Sequence, residues 1–351
     1  MKTQIFAFAL VIVVATAVFG ATFAPAMADT EGQSEGSFDL GNDNPVVINV
    51  ALYESDESTS ATSMSPETGE YALKIEVSDA NSLNDIDQIS VWIKQDSYSG
   101  SNDVRYLSTM TWTSSGWSYD GPGNDADVSW DLVTGDGKSR SADDLTGTSG
   151  TWWLHFTPGK YAVEGTSNWR IDVTVDDGTT TDTGNVAGIS MQSYIEITAD
   201  QTSYSFGSVS LSDTEKPITE TDESAADHIA VSTRANGNYR LDSFTDGSWT
   251  GQTTSGTATV NPGATLGNGE IRLTNNAEGI SGSYAAGSKV STTAGTITGY
   301  TTVDGPASLG GGQATSEPAD TKDIYQWLDV ASAGLLPDEF QGTYTVQIVA
   351  V

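Results

Sequence analysis

Short runs of alternating apolar and polar residues recur along the 351-residue chain and constrain its fold more than any other feature. In residues 71–77, for example, Leu73, Ile75 and Val77 alternate with polar neighbours. A period of two is that of a β-strand with one buried face. Clusters of Gly, Asp, Asn and Ser separate the runs, and no long segment follows a helical period. The pattern predicts an all-β protein.

The runs fall into two series, which predict two antiparallel β-sandwich domains of immunoglobulin-like or jelly-roll-like kind. The first series, 45–184, has about seven strands and carries seven of the nine Trp residues. Residues 185–190 are predicted to be a connection. The second series, 191–351, contains long loops rich in Gly, Ser and Thr, notably 245–269. The chain is long enough for two cores.

The N-terminus has the pattern of an export signal. Lys2 precedes an apolar stretch, 5–24, and the sequence Pro25-Ala26-Met27-Ala28 follows. A basic start, an apolar centre and a small-x-small exit predict a signal peptide, 1–28, cut after Ala28. The alternative is an uncleaved membrane anchor, because about 20 apolar residues can span a bilayer. With cleavage, we expect an extracellular or cell-surface protein with a flexible lead, 29–44, and no membrane attachment.

The charge excludes several partners. The chain has 47 acidic and 14 basic residues, a formal net charge of −33. Such a surface repels nucleic-acid phosphates and gives anionic lipid no basic patch to hold. The chain has no Cys, so disulfides, thiolate zinc sites and a cysteine nucleophile are excluded.

Three segments resemble parts of known surface proteins. Residues 71–94 resemble the B–C strand region of immunoglobulin-like domains in prokaryotic, especially archaeal, surface proteins: a strand ends in V-x-D at Val77 and Asp79, and the next begins at Asp85-Ile86. Residues 169–178 look like a late strand of such a domain. Residues 324–351 are similar to terminal strands of surface-layer, pilus or matrix proteins, where G-T-Y opens the last strand. The resemblance implies a secreted, non-catalytic cell-surface or filament-forming protein.

No catalytic constellation stands out. The two His residues, His155 and His228, lie in no recognisable nucleophile or metal motif, and no G-x-S-x-G sequence stands between a predicted strand and a predicted helix, as a nucleophile elbow requires. His155 is predicted to be an ordinary strand residue. We therefore predict that the protein is not an enzyme. A hydrolase with an unrecognised pair of carboxylates is the minor alternative.

Oxygen-bearing side chains cluster in the loop after residue 77. Asp79, Asn81, Asp85 and Asp87 lie within nine residues of one another. Calcium binds six to eight such oxygens, and loops at the end of a sandwich can supply them. The loop is therefore a candidate Ca²⁺ site. The alternative is turn chemistry, because Asp and Asn also bond their own backbone in turns.

The Trp residues suggest a second function. Trp112, Trp117 and Trp130 surround a loop rich in Gly and Asp, where exposed rings could stack on sugar. They are candidate carbohydrate-binding residues. Trp152 and Trp169 stand in phase with apolar neighbours and are predicted to lie in the core. The alternative for the whole set is core packing.

The first and last strands of the mature chain are candidate assembly strands. Either could pair within its own molecule or complete the sheet of a neighbour. The residues concerned are Val46, Val47, Ile48, Val50, Tyr344, Val346 and Ile348. We thus expect a secreted structural subunit of a filament, sheath or surface layer that pairs strand edges with copies of itself. The alternative is a carbohydrate-binding or adhesive module, whose partners would be polysaccharide or other cell-surface proteins.

Overall fold

The computed structural model describes residues 37, 41–101, 103–121, 130–219, 228–277, 284–305 and 320–351. Contacts divide the chain into two units, Met1–Gly41 and Asn42–Val351, and every strand given below belongs to the second. The predicted signal peptide, 1–28, lies outside the described residues, as does most of the predicted lead, 29–44. In the described part of the chain, no helix is long and apolar enough to cross a membrane.

The described residues are all-β, as predicted. Their only helical segments are two 3-10 turns, Leu83–Asp85 and Gly135–Gly137. The first half of the unit has ten strands: β1 (Val46–Glu54), β2 (Ser63–Met64), β3 (Tyr71–Ser78), β4 (Gln88–Gln95), β5 (Leu107–Thr113), β6 (Gly116–Tyr119), β7 (Asp131–Val133), β8 (Ser149–Thr157), β9 (Gly165–Asp176) and β10 (Thr181–Met191). They form a four-stranded sheet of order β1-β3-β8-β7 and a six-stranded sheet of order β2-β10-β9-β4-β5-β6.

Both of these sheets contribute to one hydrophobic core. Leu73 and Ile75 of β3 are fully buried, and so are Ile171 and Val173 of β9. Successive side chains of a strand point to opposite faces, so the apolar phase of each strand supplies the core and the other phase faces outward. The core also contains Trp152 and Trp169, as their phase predicted.

The predicted connection, 185–190, is part of strand β10. Its pairing with β9 shifts between Ala187 and Ile189, and Gly188 has a φ of 77°. Glycine adopts this left-handed backbone without strain, which allows a bulge inside the strand. Ile189 and Met191 are buried in the first core. Gly188 therefore accommodates a strand irregularity inside the predicted connection, and the first core extends to Met191.

The second half of the unit has twelve strands. These are β11 (Ile195–Ala199), β12 (Lys216–Pro217), β13 (Ile229–Ala235), β14 (Tyr239–Thr245), β15 (Ser248–Gly251), β16 (Thr257–Val260), β17 (Glu270–Asn276), β18 (Ser288–Lys289), β19 (Gly295–Thr296), β20 (Asp320–Val330), β21 (Phe340–Gln341) and β22 (Tyr344–Ala350). One sheet has the order β11-β13-β20-β17-β16-β15-β21, with β12 and β18 paired to it, and the other has the order β19-β14-β22. Strands β15 and β16 occupy part of the predicted loop 245–269.

A second hydrophobic core is built from strands of these two sheets. Leu241 of β14, Leu273 of β17 and Ile324 of β20 are fully buried in it.

One buried amide joins the two halves. Asn236, at the end of β13, is fully buried. Its Nδ2 donates to the carbonyl oxygens of Ala162 (2.8 Å) and Gln192 (2.7 Å), and its Oδ1 accepts from the N–H of Tyr194 at 2.6 Å. Ala162 belongs to the first half, while Gln192 and Tyr194 belong to the segment between β10 and β11. The second half is therefore fastened to the first through a fully satisfied side chain.

A charged cluster lies at the same junction. Lys160 contacts Glu67 Oε1 at 3.0 Å and Glu196 Oε2 at 3.2 Å. The hydroxyl of Tyr194 lies within hydrogen-bonding distance of both carboxylates and shares its one proton between them. Burial and these two acceptors raise the pKa of Tyr194 well above its usual value, so the phenol keeps this proton. One Glu comes from each half, and the cluster adds a second link between them.

Candidate functional site

The structure does not gather the predicted calcium ligands around one point. Asp79 is 1% exposed, whereas Asp85 and Asp87 are exposed. Asp79 Oδ1 accepts from the N–H of Asn81 (2.8 Å), and Asn81 Oδ1 accepts from the N–H of Asp43 (2.6 Å). Such side-chain-to-backbone bonds are turn chemistry. Among the described residues, no group of three or more His, Cys, Asp or Glu side chains could hold a metal ion.

The turn does not account for the second oxygen of Asp79. Its Oδ2 is buried and has no hydrogen-bond partner in the part of the chain that the structure describes. A carboxylate oxygen buried without a partner is costly, and the cost falls when a cation or a water molecule occupies the space beside it. Asp79 is thus the one predicted ligand with a buried oxygen that a bound cation could satisfy.

Two of the three predicted sugar-stacking residues lie in the core. Trp112 and Trp130 are 3% and 1% exposed. Trp112 packs edge-on against Trp152, with 5.5 Å between ring centroids, and the indole N–H of Trp130 donates to the carbonyl of Val104. Trp117 is half-buried against the same core. A ring must be exposed to stack on a sugar, so Trp112 and Trp130 were wrong predictions and core packing explains them.

The exposed tryptophan is Trp92, in the middle of β4. It is 41% exposed, and the other eight Trp residues are half-buried or buried. Its neighbours Val91 and Ile93 are fully buried, so Trp92 points to the outer face of the six-stranded sheet. Its indole N–H makes no hydrogen bond within the described residues. The signal was present in the sequence, because the alternation of β4 assigns Trp92 to the face opposite Val91.

Polar side chains surround Trp92 on this outer face. One row across β10, β9, β4, β5 and β6 consists only of hydroxyl residues. In order they are Thr183, Thr174, Ser90, Thr111 and Ser118. At about 4.8 Å between neighbouring strands, the row is about 19 Å long. In the next row, Trp92 lies between Asp172 of β9 and Thr109 of β5.

The charged side chains beside Trp92 are paired with one another. Asp172 accepts from Lys94 Nζ at 2.9 Å and from Arg170 Nη2 at 2.5 Å. These three side chains are a quarter to a third exposed. Two cations therefore share one carboxylate, in a protein whose acids outnumber its bases by 47 to 14. We call this hydroxyl-lined surface, centred on Trp92 and the row through Ser90, the Trp92 face.

The first predicted assembly strand has a protected edge. β1 pairs with β3 of its own molecule, and the register shifts between Val47 and Asn49. On the side away from β3, the N–H of Val47 donates to Asp182 Oδ2 at 2.7 Å. A bulge and a carboxylate cap are both devices that prevent an edge from pairing. Val46 and Ile48 are 49% and 58% exposed, but the protected backbone beside them offers no open edge for another strand.

The last strand has an open edge. β22 pairs with β14, and Leu241 of β14 lies opposite Ile348. The N–H of Leu241 donates to the carbonyl of Tyr300, on the side of β14 away from β22. The direction of hydrogen bonding alternates along an antiparallel strand, so Leu241 and Ile348 are a non-bonded pair. The backbone groups of Tyr344, Val346 and Ile348 therefore point away from β14, and we call this row the β22 edge.

No ladder covers the β22 edge within the described residues. The order of its sheet ends at β22, and β11, the strand that lies beside it, belongs to the other sheet of the second half. Tyr344, Val346 and Ile348 also pack their side chains against the second core. These three predicted assembly residues thus anchor the strand by their side chains while their backbone groups face outward.

No protein-family model matches the chain, and no curated protein is significantly similar to it. The chemistry of the Trp92 face and the β22 edge is therefore the basis for assigning a function.

The two His residues are both paired with carboxylates. His155 is 1% exposed; its Nδ1 lies 2.8 Å from Glu70 Oε1 and its Nε2 lies 3.0 Å from Glu57 Oε1. A carboxylate can only accept, so both contacts are hydrogen bonds at once when the ring carries two protons. Arg140 holds Glu57 from the other side, and Lys138 holds Glu70. No substrate can reach a ring that is buried in this way, which fits a structural role.

His228 is more exposed than His155. Its Nε2 lies 3.2 Å from Asp323 Oδ1, and its ring packs beside Tyr325. This pair has no nucleophile bonded to it in the described residues, so it offers no triad.

Proposed function

We propose that the protein is an exported, non-enzymatic structural subunit that assembles with copies of itself through the β22 edge. In this proposal the two halves are sandwich domains of immunoglobulin-like kind, displayed at a cell surface or in an extracellular filament, sheath or layer. The observation that carries the proposal is the hydrogen-bonding direction of β22, which leaves the backbone of Tyr344, Val346 and Ile348 without a partner strand in the described part of the chain.

The composition of β22 supports pairing with another strand. Its seven residues, Tyr344–Ala350, include no charged residue and no proline. Charged side chains and prolines are the usual guards of an exposed edge. Their absence is notable in a chain in which 17% of residues are charged. Backbone hydrogen bonds to an incoming strand would satisfy the free groups and extend the sheet.

The contrast with β1 supports the choice of edge. Both strands are apolar and both pair within their own molecule, but only β1 has a bulge and a capping carboxylate, from Asp182. An edge that must not pair with another molecule is expected to carry such devices. The β22 edge carries neither among the described residues, so β22 is the preferred assembly strand.

Calcium belongs to the same proposal as a stiffening ion. Asp79 Oδ2 lacks a partner and the loop after β3 is rich in oxygen atoms. Asp79 and Asn81 would supply side-chain ligands, together with backbone carbonyls, for a cation that prefers hard oxygen. Bound there, the ion would rigidify the end of the first half rather than take part in chemistry.

The test removes one backbone donor from the β22 edge. Val346→Pro deletes an N–H that points outward, so the ladder to β14 keeps its bonds. Val346→Thr is the matched control, because it changes the side chain and retains the N–H. We expect wild type (residues 29–351) and Val346→Thr to form regular high-mass particles in negative-stain electron microscopy, and folded Val346→Pro to stay monomeric.

Circular dichroism and a melting curve establish that Val346→Pro is folded. Assembly of the folded proline variant to the same extent as wild type would contradict pairing at the β22 edge. A wild-type protein that remains monomeric at all concentrations would contradict self-assembly altogether.

A further inference from the structure

We infer that the Trp92 face is a binding site for a neutral polysaccharide. This inference does not depend on assembly through the β22 edge, since the two surfaces belong to different halves and different sheets. It replaces the sugar-binding residues expected from the sequence, of which Trp112 and Trp130 are buried.

The central ring has the properties that sugar stacking requires. Trp92 is 41% exposed, lies mid-strand in β4 and is surrounded by other strands of the same sheet. A pyranose ring presents C–H bonds on its face, and an aromatic ring with a negative face packs well against them. The indole N–H of Trp92, which has no hydrogen-bond partner among the described residues, can donate to a ring or hydroxyl oxygen at the same time.

The side chains around Trp92 match a hydroxyl-rich ligand. The row through Ser90 offers five hydroxyl groups. Two of them already have partners, because the Ser90 hydroxyl accepts from Gln88 Nε2 and the Ser118 hydroxyl donates to Thr111 O or Asp120 Oδ1. Asp172 and Thr109, the direct cross-strand neighbours of Trp92, add an acceptor and a further hydroxyl. The row of about 19 Å is long enough for several sugar units rather than one. An extended chain fits this surface better than a small molecule, which would need a pocket.

The charges select a neutral ligand. Lys94 and Arg170 are both paired with Asp172, at 2.9 and 2.5 Å, so an acidic sugar would compete with a carboxylate that is already in place. The net charge of −33 also opposes the approach of any polyanion. A neutral polymer meets neither barrier.

A protein partner suits the face less well. The centre of a protein interface is a cluster of aromatic and aliphatic side chains that exclude water. Here one exposed indole lies among Ser, Thr, Gln and charged side chains. A single ring with a polar surround is the arrangement expected for carbohydrate.

The experiment is affinity electrophoresis of the folded mature protein in native gels. The gels contain hydroxyethyl cellulose, galactomannan or dextran as neutral probes, polygalacturonate as the acidic probe, or no polysaccharide. We expect at least one neutral gel to retard the wild type, Trp92→Ala to weaken this binding about tenfold or more, and Trp92→Phe to retain most of it. Leu336→Ala, which alters a residue that is 65% exposed in the second half, is the surface control and should bind as wild type.

Thr111→Val separates the contribution of the hydroxyl row from that of the ring. It keeps the shape of the side chain and its strand preference but removes one hydroxyl, and it should weaken binding without changing the fold. Equal retardation of Trp92→Ala and wild type would overturn the site. Retardation by polygalacturonate alone, or by none of the four probes, would overturn the ligand class. Loss of self-association in Trp92→Ala without any glycan effect would show a protein interface instead.

Discussion

The strongest stability prediction concerns Asn236, the amide that joins the two halves. The change Asn236→Ala removes three side-chain hydrogen bonds of 2.6 to 2.8 Å from a fully buried site. Each such bond contributes about 1 kcal/mol net, so the free energy of unfolding should fall by about 3 kcal/mol. The loss should be realised in full because Asn236 is fully buried, and its removal takes this donor away from the carbonyls of Ala162 and Gln192.

Urea unfolding followed by Trp fluorescence measures this loss, with Asn238→Ala as the control. Asn238 lies two residues away, is exposed and accepts one long side-chain bond of 3.3 Å from Gly305. Its replacement should cost less than about 0.5 kcal/mol. A loss below about 1 kcal/mol for Asn236→Ala, similar to that of the control, would refute the view that this amide fastens the halves together.

Two further predictions concern ionisable groups. The hydrogen bond from Arg140 lowers the pKa of Glu57, and that from Lys138 lowers the pKa of Glu70 against the opposing effect of burial. Both carboxyl groups therefore have a pKa below its ordinary value of 4.5. Their contribution to the free energy of unfolding is complete above that pH and is lost as the pH falls through the folded-state pKa values. The double change Glu57→Gln, Glu70→Gln should therefore reduce the loss of stability at acid pH, whereas Glu54→Gln should not. If calcium satisfies Asp79, EDTA should lower the Tm of the wild type and leave that of Asp79→Asn unchanged, and a wild-type Tm that does not respond to EDTA would contradict the calcium proposal.

The sequence predicted the faces of strands better than their partners. Alternation alone places Leu73 and Ile171 in a core, because a one-residue shift would expose every apolar side chain of the strand. It also places Trp92 on the outer face of its sheet. The prediction of sugar-stacking residues rested instead on Trp residues near a Gly-rich loop, among them Trp112 and Trp130. Local spacing cannot show that Trp130 reaches the core, since that depends on strands far away along the chain.

Long-range pairing explains the other differences. Whether the last strand has an open edge depends on its single neighbour β14 and on the direction of one hydrogen bond at Leu241. The contacts of His155 with Glu57 and Glu70 join residues more than 80 positions apart. The part of β10 from residue 185 onward was predicted to be a connection, and a glycine such as Gly188 is compatible with both a linker and a bulge. None of these features has a local signature.

The two proposed surfaces would reinforce each other in an assembly. Pairing at the β22 edge uses backbone groups of the second half, so each added subunit would keep its own Trp92 face in the first half available. A single exposed indole with a row of hydroxyls suits weak binding by one subunit. When many such faces are linked, each bound subunit raises the effective concentration of the next, and total affinity can exceed that of one site by orders of magnitude. Weak sites on a self-assembling subunit would therefore hold a polysaccharide firmly, while the free subunit would release it.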